Sequence, residues 1–155
     1  MMKLLAVASS GGHWIQLLRI TRPLENRFEV CYASTLSDRE SSVHGGRFRL
    51  VNDFSRTDAL KIVIVFIQVI RIIRSEKPDV IITTGAAPGL VMVFVGWLFG
   101  KKTIWVDSFA NVDRLSLSGR IASLFVSRTY TQWKELENGK NIVFAGNVVE
   151  NDKEK

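Results

Sequence analysis

Residues 4–13 read LLAVASSGGH, which is an apolar run followed by two serines, two glycines and a histidine. A short apolar run that ends at a turn signal predicts a buried strand, here residues 4–8. Beyond the glycines, apolar residues recur at helical spacing, at Ile15, Leu17, Leu18 and Leu24. This spacing predicts a helix over residues 13–25. The chain therefore opens with a predicted strand, a glycine turn and a helix, the first unit of an α/β fold.

The rest of the chain alternates between predicted strands and predicted helices. Further strands are predicted at residues 28–33, 48–51, 80–83, 103–106, 128–131 and 142–145. Further helices are predicted at residues 59–74 (with residues 55–58 as its start), over about ten residues ending near Gly100, and at about 118–125. Residues 34–47 are rich in Ser and Gly and are predicted to form a mobile loop. This alternation predicts the α/β fold class, with a Rossmann-like, doubly wound parallel sheet.

The segment between Asp79 and Lys101 allows a second interpretation. It contains 21 consecutive uncharged residues, and a membrane span needs about 20. Glycine turn signals at residues 84–85 and 88–89 instead divide it into a short strand and a helix that is too short to cross. We expect the strand and the helix, and a membrane-spanning segment at residues 80–100 stays an alternative.

Composition limits the class of protein and of partner. With 155 residues, 46% of them hydrophobic, the chain is predicted to form one domain over residues 1–149 and a charged tail at 150–155. Because Cys31 is the only cysteine, a disulfide framework and a zinc site of paired thiolates are excluded. As a separate expectation, no residue is assigned to a metal and no cofactor is expected. The net charge of +6 suits nucleic acid, an anionic membrane surface or a phosphorylated substrate. No nucleic-acid partner is expected, because no zinc-finger spacing, RNP-type strand or dense Lys/Arg cluster occurs.

The first candidate site is the turn after the first strand, because ligands of such sheets bind beyond the carboxyl ends of the strands. Gly11 and Gly12 let the backbone approach a ligand, and the following helix offers unpaired N–H groups to a phosphate beside Ser9 and Ser10. A plain tight turn explains the same residues. His13 is a candidate general base or a donor to a diphosphate, and capping of the helix start is the structural alternative.

Two later strand ends carry the other candidate sites. The small residues around Gly85 in TGAAPG, residues 84–89, either leave space for a sugar or lipid diphosphate or allow close packing of helix on sheet. Asp107 and Ser108 follow the strand at residues 103–106. A carboxylate there is either a hydrogen-bond acceptor for the loop or a catalytic base alternative to His13.

Aromatic and basic residues border the two long apolar helices. They are Arg71 and Arg74 at the end of one helix, and Phe94, Trp97, Lys101 and Lys102 in and after the other. This pattern is typical of a segment that lies on a membrane surface, and core packing with solvated ends explains it as well. Both interpretations stay open on composition alone.

Four motifs in this order resemble one known family. They are ASSGGH at residues 8–13, TGAAPG at 84–89, WVDSFA at 105–110 and YTQWKE at 130–135. Over residues 3–147 the chain is similar to the membrane-anchoring, acceptor-binding subunit of two-component GT-B glycosyltransferases. That family includes the eukaryotic subunit that helps add the second GlcNAc to dolichol diphosphate, and bacterial PssD-like capsule and exopolysaccharide proteins.

The resemblance implies the N-terminal half of a GT-B enzyme. This half would bind a polyprenyl-diphosphate-linked sugar acceptor, and a separate catalytic chain would bind the UDP-sugar donor. Contacts to the acceptor diphosphate are expected from Ser9, Ser10, Gly11, Gly12, Gly85 and Ser108. The resemblance assigns His13 to a base or orienting role in an inverting, metal-independent transfer, and it implies no transfer without the partner.

The chain departs from the family pattern at two places. Asp107 stands where the family usually has Glu, which weakens a catalytic assignment there. The eukaryotic relatives carry an N-terminal transmembrane helix, and none is recognised here, so we expect peripheral attachment to the cytoplasmic face of the plasma membrane, as in a bacterial-type protein. The alternative function is a non-catalytic nucleotide-binding or scaffold domain of Rossmann type.

Overall fold

The computed structural model describes residues 1–43, 47–54 and 59–149, and it shows strands and helices in alternation. The strands are β1 (Met2–Ala8), β2 (Phe28–Ser34), β3 (Arg47–Leu50), β4 (Val80–Thr83), β5 (Lys102–Val106), β6 (Arg128–Thr131) and β7 (Ile142–Phe144). The α-helices are α1 (Gly12–Thr21), α2 (Ala59–Glu76), α3 (Ala86–Leu98) and α4 (Leu117–Ala122). The predicted helix start at residues 55–58 and the predicted tail at 150–155 lie outside the described residues.

The strands form one parallel sheet with the order β3-β2-β1-β4-β5-β6-β7. From β1 the chain moves outward to β2 and β3, and it then returns to place β4 against the other side of β1. The direction of the strand order therefore reverses between β1 and β4. In a doubly wound sheet the loops that leave these two strands diverge to opposite faces and leave a crevice at their carboxyl ends.

Helices cover both faces of the sheet, and alternate residues of β1 point to the two layers. Leu4 and Ala6 pack with Trp14 and Leu17 of α1 on one face. On the other face, Leu5 packs in the cluster that holds the buried residues of α2, α3 and α4. This arrangement confirms the predicted α/β fold class. Among the described α-helices, α1 covers the first face, and α2, α3 and α4 cover the second.

Several predicted boundaries were wrong for identifiable reasons. The first helix ends at Thr21, where Pro23 lies in a 3-10 turn, Arg22–Leu24, because proline cannot donate the next helical hydrogen bond. Part of the predicted loop at residues 34–47 is a 3-10 helix, Ser37–Ser42, in which Ser41 and Ser42 donate to backbone carbonyls three residues back. The helix of about ten residues has 13, since its first turn begins directly after Gly85.

The spanning alternative for residues 80–100 was also wrong, because this segment forms β4 and α3. None of the helices within the described ranges combines the length and the apolar character that a membrane span requires. The other long apolar segment, residues 59–74, is a helix as predicted, and the helix continues two residues past Arg74 to Glu76.

Cys31 lies on β2 and is buried. Desolvation by burial, with a smaller contribution from the Glu76 carboxylate, raises the pKa of the Cys31 thiol to about 12. The thiol is therefore protonated at neutral pH, and a thiolate nucleophile is not available at this position.

Candidate functional site

The candidate site lies at the reversal point of the sheet, where the turns after β1 and β4 run side by side. Gly11 and Gly85 precede α1 and α3 with φ of 75° and 129°, a region that favours glycine. Ala86, the next residue, also has a positive φ, 66°, which is uncommon for a residue with a side chain. Both turns therefore contain residues with positive φ.

His13 is anchored between the two turns. Its Nδ1 lies 2.8 Å from the carbonyl oxygen of Thr84, and the Thr84 hydroxyl donates to the His13 carbonyl over 2.7 Å. Because a carbonyl oxygen only accepts, Nδ1 carries the hydrogen and Nε2 of the neutral ring is left as an acceptor. The imidazole thus binds across to the β4–α3 turn, and it does not cap its own helix.

Gly85 packs directly against the imidazole ring of His13. A Cβ atom at position 85 would lie 2.8 Å from Cε1 of His13, closer than such contacts ever are. The ring and the glycine therefore depend on each other, and position 85 tolerates no side chain while His13 keeps this rotamer.

His13 borders an open cavity of about 260 Å³, which we call the polar cavity. Its wall includes His13, Ala86, Ser108, Asn111, Ser116 and Ser118. The predicted residues Ser9, Ser10, Gly11 and Gly12 form the turn directly before His13, with the two serines half-buried and the two glycines exposed. The first amides of an α-helix have no acceptor within the helix, and α1 and α3 both begin here, so the site is favourable for an anion.

Asp107 lies at the end of β5 and is 2% exposed. Its carboxylate accepts hydrogen bonds from the Trp105 indole (2.9 Å), the Asn111 amide (3.0 Å), and both the backbone N–H (2.9 Å) and the hydroxyl (2.6 Å) of Ser116. Both carboxylate oxygens therefore accept hydrogen bonds from the loop that lines the polar cavity. This geometry favours the first of the two predicted roles, an acceptor that holds the loop.

Replacing Asp107 by alanine is expected to lower the free energy of unfolding by about 3 kcal/mol. The reason is that several buried donors lose their acceptor, and each unsatisfied donor costs about 1–3 kcal/mol. Denaturant unfolding followed by circular dichroism measures this. The matched control is Asp113→Ala in the same loop, where the aspartate is exposed and a change within about 0.5 kcal/mol is expected. Equal stability of the two variants would contradict the structural role of Asp107.

Sequence reasoning gave no role to a buried amide pair beside this loop. Gln16 on α1 and Gln132 after β6 are both 3% exposed, and the Gln132 amide donates to the Gln16 side-chain oxygen (2.8 Å) and to the Asp107 carbonyl (2.9 Å). The Gln16 amide also donates to the Ser108 hydroxyl at 3.3 Å. The sequence signal that could have indicated this pair was a glutamine on the apolar stripe of the predicted helix. The prediction of that stripe was itself partly wrong, because Ile15, one of its residues, is 55% exposed.

The residues predicted to contact a membrane all lie on or beside the three-helix layer. Arg71, Arg74 and Lys102 are exposed, Lys101 is half-buried, and Phe94 and Trp97 are 37% and 46% exposed. Phe94 and Trp97 also pack on the ring of Phe125, and the Arg74 guanidinium lies 5.6 Å from the centroid of Phe99. These residues are therefore shared between packing and the surface.

A longer apolar surface lies on the same layer, and its residues on α2 and α4 were not among the predicted membrane contacts. On α2 the exposed residues Leu60, Val63, Ile64 and Ile67 follow helical i, i+3, i+4, i+7 spacing. Leu117, Ile121 and Leu124 form a similar exposed row at α4. We call these residues, with Phe94, Trp97 and Leu98 of α3, the apolar face. The sequence signal was the narrow polar stripe of α2, formed by Lys61, Gln68, Arg71 and Ser75, which leaves more apolar surface than a sheet can cover.

Known structures share this fold. MurG of Acinetobacter baumannii superimposes with a TM-score of 0.79 at 12% identity, over 94% of this chain and 46% of that chain. UDP-GlcNAc 2-epimerase from Methanocaldococcus jannaschii has a TM-score of 0.71 at 16% identity, over 96% of this chain and 46% of its own. The chain thus spans less than half the length of these solved structures. The likeness confirms the predicted Rossmann-like α/β fold.

Curated relatives match at the level of sequence. The UDP-N-acetylglucosamine transferase subunit ALG14 of Yarrowia lipolytica is 26% identical over 161 residues, which cover 86% of this chain and 74% of the relative. The UDP-N-acetylglucosamine transferase subunit alg14 of Schizosaccharomyces pombe is 42% identical over 64 residues, 38% of this chain and 30% of that protein. The family described as "Oligosaccharide biosynthesis protein Alg14 like" matches residues 43–148, which include β4 to β7 and the Asp107 loop. Since this match extends over more than half of its length, the chain belongs to the Alg14-like family of oligosaccharide biosynthesis proteins.

Proposed function

We propose that this chain is the acceptor-binding subunit of a two-chain, UDP-sugar-dependent glycosyltransferase that acts on a polyprenyl-diphosphate-linked sugar. The observation that carries the proposal is His13, whose ring borders the polar cavity with Nδ1 held by the Thr84 carbonyl and Nε2 left as an acceptor. Family membership supports the reaction class, and the relatives named above are transferase subunits.

The acceptor diphosphate would lie at the start of α1 and α3. The backbone of Gly11 and Gly12 approaches a ligand without obstruction, since a Cβ at either position would meet no atom within 4 Å. Ser9 and Ser10 in the same turn, Gly85 in the neighbouring turn and Ser108 across the polar cavity complete the proposed contacts. Amides and the positive ends of two helices would share the negative charge of the diphosphate.

His13 would act as the general base. Nε2 takes the proton from an acceptor hydroxyl, the hydroxyl oxygen forms a bond to the anomeric carbon, and the bond from that carbon to UDP breaks, with the UDP leaving as an anion. The Thr84 carbonyl keeps Nδ1 protonated and so keeps Nε2 as the accepting nitrogen. Asp107 would position Asn111 and Ser116 and would not exchange protons with substrate.

A separate donor-binding chain would supply the UDP-sugar. A GT-B cleft lies between two domains, and this chain superimposes on 46% of the MurG chain. UDP-N-acetylglucosamine is the first donor to test, because the curated relatives are named for its transfer. Reconstitution tests the proposal: this chain, a donor-binding chain, UDP-N-acetylglucosamine and a polyprenyl-diphosphate-linked sugar are combined, and transfer is measured.

The apolar face would hold the subunit peripherally on the cytoplasmic side of the plasma membrane. Four of its residues on α2 point outward together, and Arg71 and Arg74 follow on the same helix, where they would contact anionic headgroups. The net charge of +6 favours the same surface.

Wild-type chain is expected to float with anionic liposomes and to be released in part by salt. The double variant Ile64→Asp, Ile67→Asp should lower the bound fraction at least about tenfold, because two side chains lose apolar burial in the bilayer. Ile15→Asp on α1 is the matched control, since Ile15 is as exposed as these residues but lies in the other layer. Flotation of the double variant at the wild-type level would contradict attachment through the apolar face.

A further inference from the structure

A second cavity lies directly beside the polar cavity and has the opposite character. This apolar groove has a volume of about 290 Å³ and lies between α2 and α4 over the start of α3. Phe54, Ile62, Ala87, Leu90, Leu117 and Ile121 line it. The apolar groove opens within the three-helix layer, which also carries the apolar face.

The two cavities share part of their wall. Leu117 and Ser118 at the start of α4 line both of them. On α3, Ala86 borders the polar cavity and the next residue, Ala87, borders the apolar groove. A ligand that enters the polar cavity with a charged group therefore has the apolar groove one residue away along α3, where the side chains of Ala86 and Ala87 are small.

We propose that the apolar groove binds the isoprenoid units next to the diphosphate of the acceptor lipid, so that this subunit recognises the lipid as well as its headgroup. The proposal rests on the proposed function. A single hydrocarbon chain suits the apolar groove better than a protein helix, because three turns of helix at a diameter of about 10 Å occupy roughly 1,300 Å³. The lining side chains are apolar except for Ser118, so a peptide backbone would find few partners there.

The consequence is a gain in affinity that belongs to the hydrocarbon alone. Each methylene group that moves from water into an apolar site raises the affinity about fourfold. Farnesyl diphosphate and inorganic diphosphate are matched probes, because they share the charged group and differ in the isoprenoid chain. The full chain should bind farnesyl diphosphate at least tenfold more tightly than inorganic diphosphate, by calorimetry below the micellar concentration.

Variants of Ile121 test where this gain arises. Ile121→Asp places a charge in the apolar groove and Ile121→Trp fills it without charge, and either change should bring the affinity for farnesyl diphosphate within about threefold of that for inorganic diphosphate. Affinity for inorganic diphosphate should stay within twofold of wild type. The matched control is Leu124→Asp, which adds the same charge nearby at an 84% exposed position outside the apolar groove, and it should leave both affinities unchanged.

The outcomes separate this proposal from the proposed function. If wild-type chain binds the two probes equally, the lipid-binding apolar groove is refuted and the diphosphate site stands. If neither probe binds, the acceptor site itself is refuted and the apolar groove with it. An equal loss in Leu124→Asp and in both Ile121 variants would show adsorption to the apolar face, and it would also overturn the proposal.

Discussion

Replacing His13 by alanine is expected to lower the turnover of the reconstituted two-chain enzyme by about 100-fold or more, the usual loss when a general base is removed. The physical reason is the fixed tautomer: the Thr84 carbonyl holds Nδ1, and only Nε2 can accept the proton of the acceptor hydroxyl. Turnover is measured as transfer of labelled sugar from the UDP-sugar to the lipid-linked acceptor, at saturating concentrations of both.

A second substitution separates proton transfer from positioning. His13→Asn retains an amide donor that can reach the Thr84 carbonyl, but it has no nitrogen that accepts a proton. It should therefore be as slow as the alanine variant. A loss below tenfold in either variant would leave His13 a structural residue of the turn.

The 155-residue chain by itself is expected to transfer no sugar from any UDP-sugar, whereas the pair transfers readily. In the proposed function a separate chain binds the donor, so without that chain nothing holds the UDP-sugar beside the acceptor. Holding both substrates in one cleft can contribute about 7–11 kcal/mol to lowering the barrier. Loss of the partner should therefore take transfer below detection, while binding of inorganic diphosphate to this chain persists.

Three assays run in parallel make this result decisive. They contain this chain alone, the donor-binding chain alone and the two together, with the same UDP-sugar and acceptor. Rates from the pair that carries His13→Ala show how much activity depends on this subunit's own chemistry. Robust transfer by the isolated chain would refute the half-enzyme proposal, and it would favour a self-sufficient transferase.

The regular elements were predictable because local patterns specify them. The strands at residues 80–83 and 128–131 have the predicted bounds, since each is a short β-prone run that ends at a change of composition. The long segment after residue 59 is a helix as expected, because its length excludes a strand. Local patterns were weaker at the 3-10 helix Ser37–Ser42, whose hydrogen bonds use serine side chains that also suit a loop.

The candidate site was only partly predictable. Glycine turns after β1 and β4 marked His13 and Gly85 as residues of interest, because backbone geometry at a strand-to-helix turn demands glycine. The contact between His13 and Thr84 spans 71 positions of sequence, and no local signal indicates that Thr84 binds the imidazole. Gln16 and Gln132 are 116 positions apart, and each satisfies the other in a buried place where an isolated amide would be costly.

The sequence by itself determined the fold class, the position of the glycine turns and the basic character of the chain, because hydrophobic period, turn chemistry and charge are properties of neighbouring residues. Only the tertiary structure decided that Asp107 holds a loop, that His13 keeps Nε2 open, and that an apolar groove adjoins the polar cavity. Each of these depends on which strand ends meet at the reversal of the sheet. Packing of the whole chain decides which strand ends are adjacent, and no short stretch of sequence encodes it.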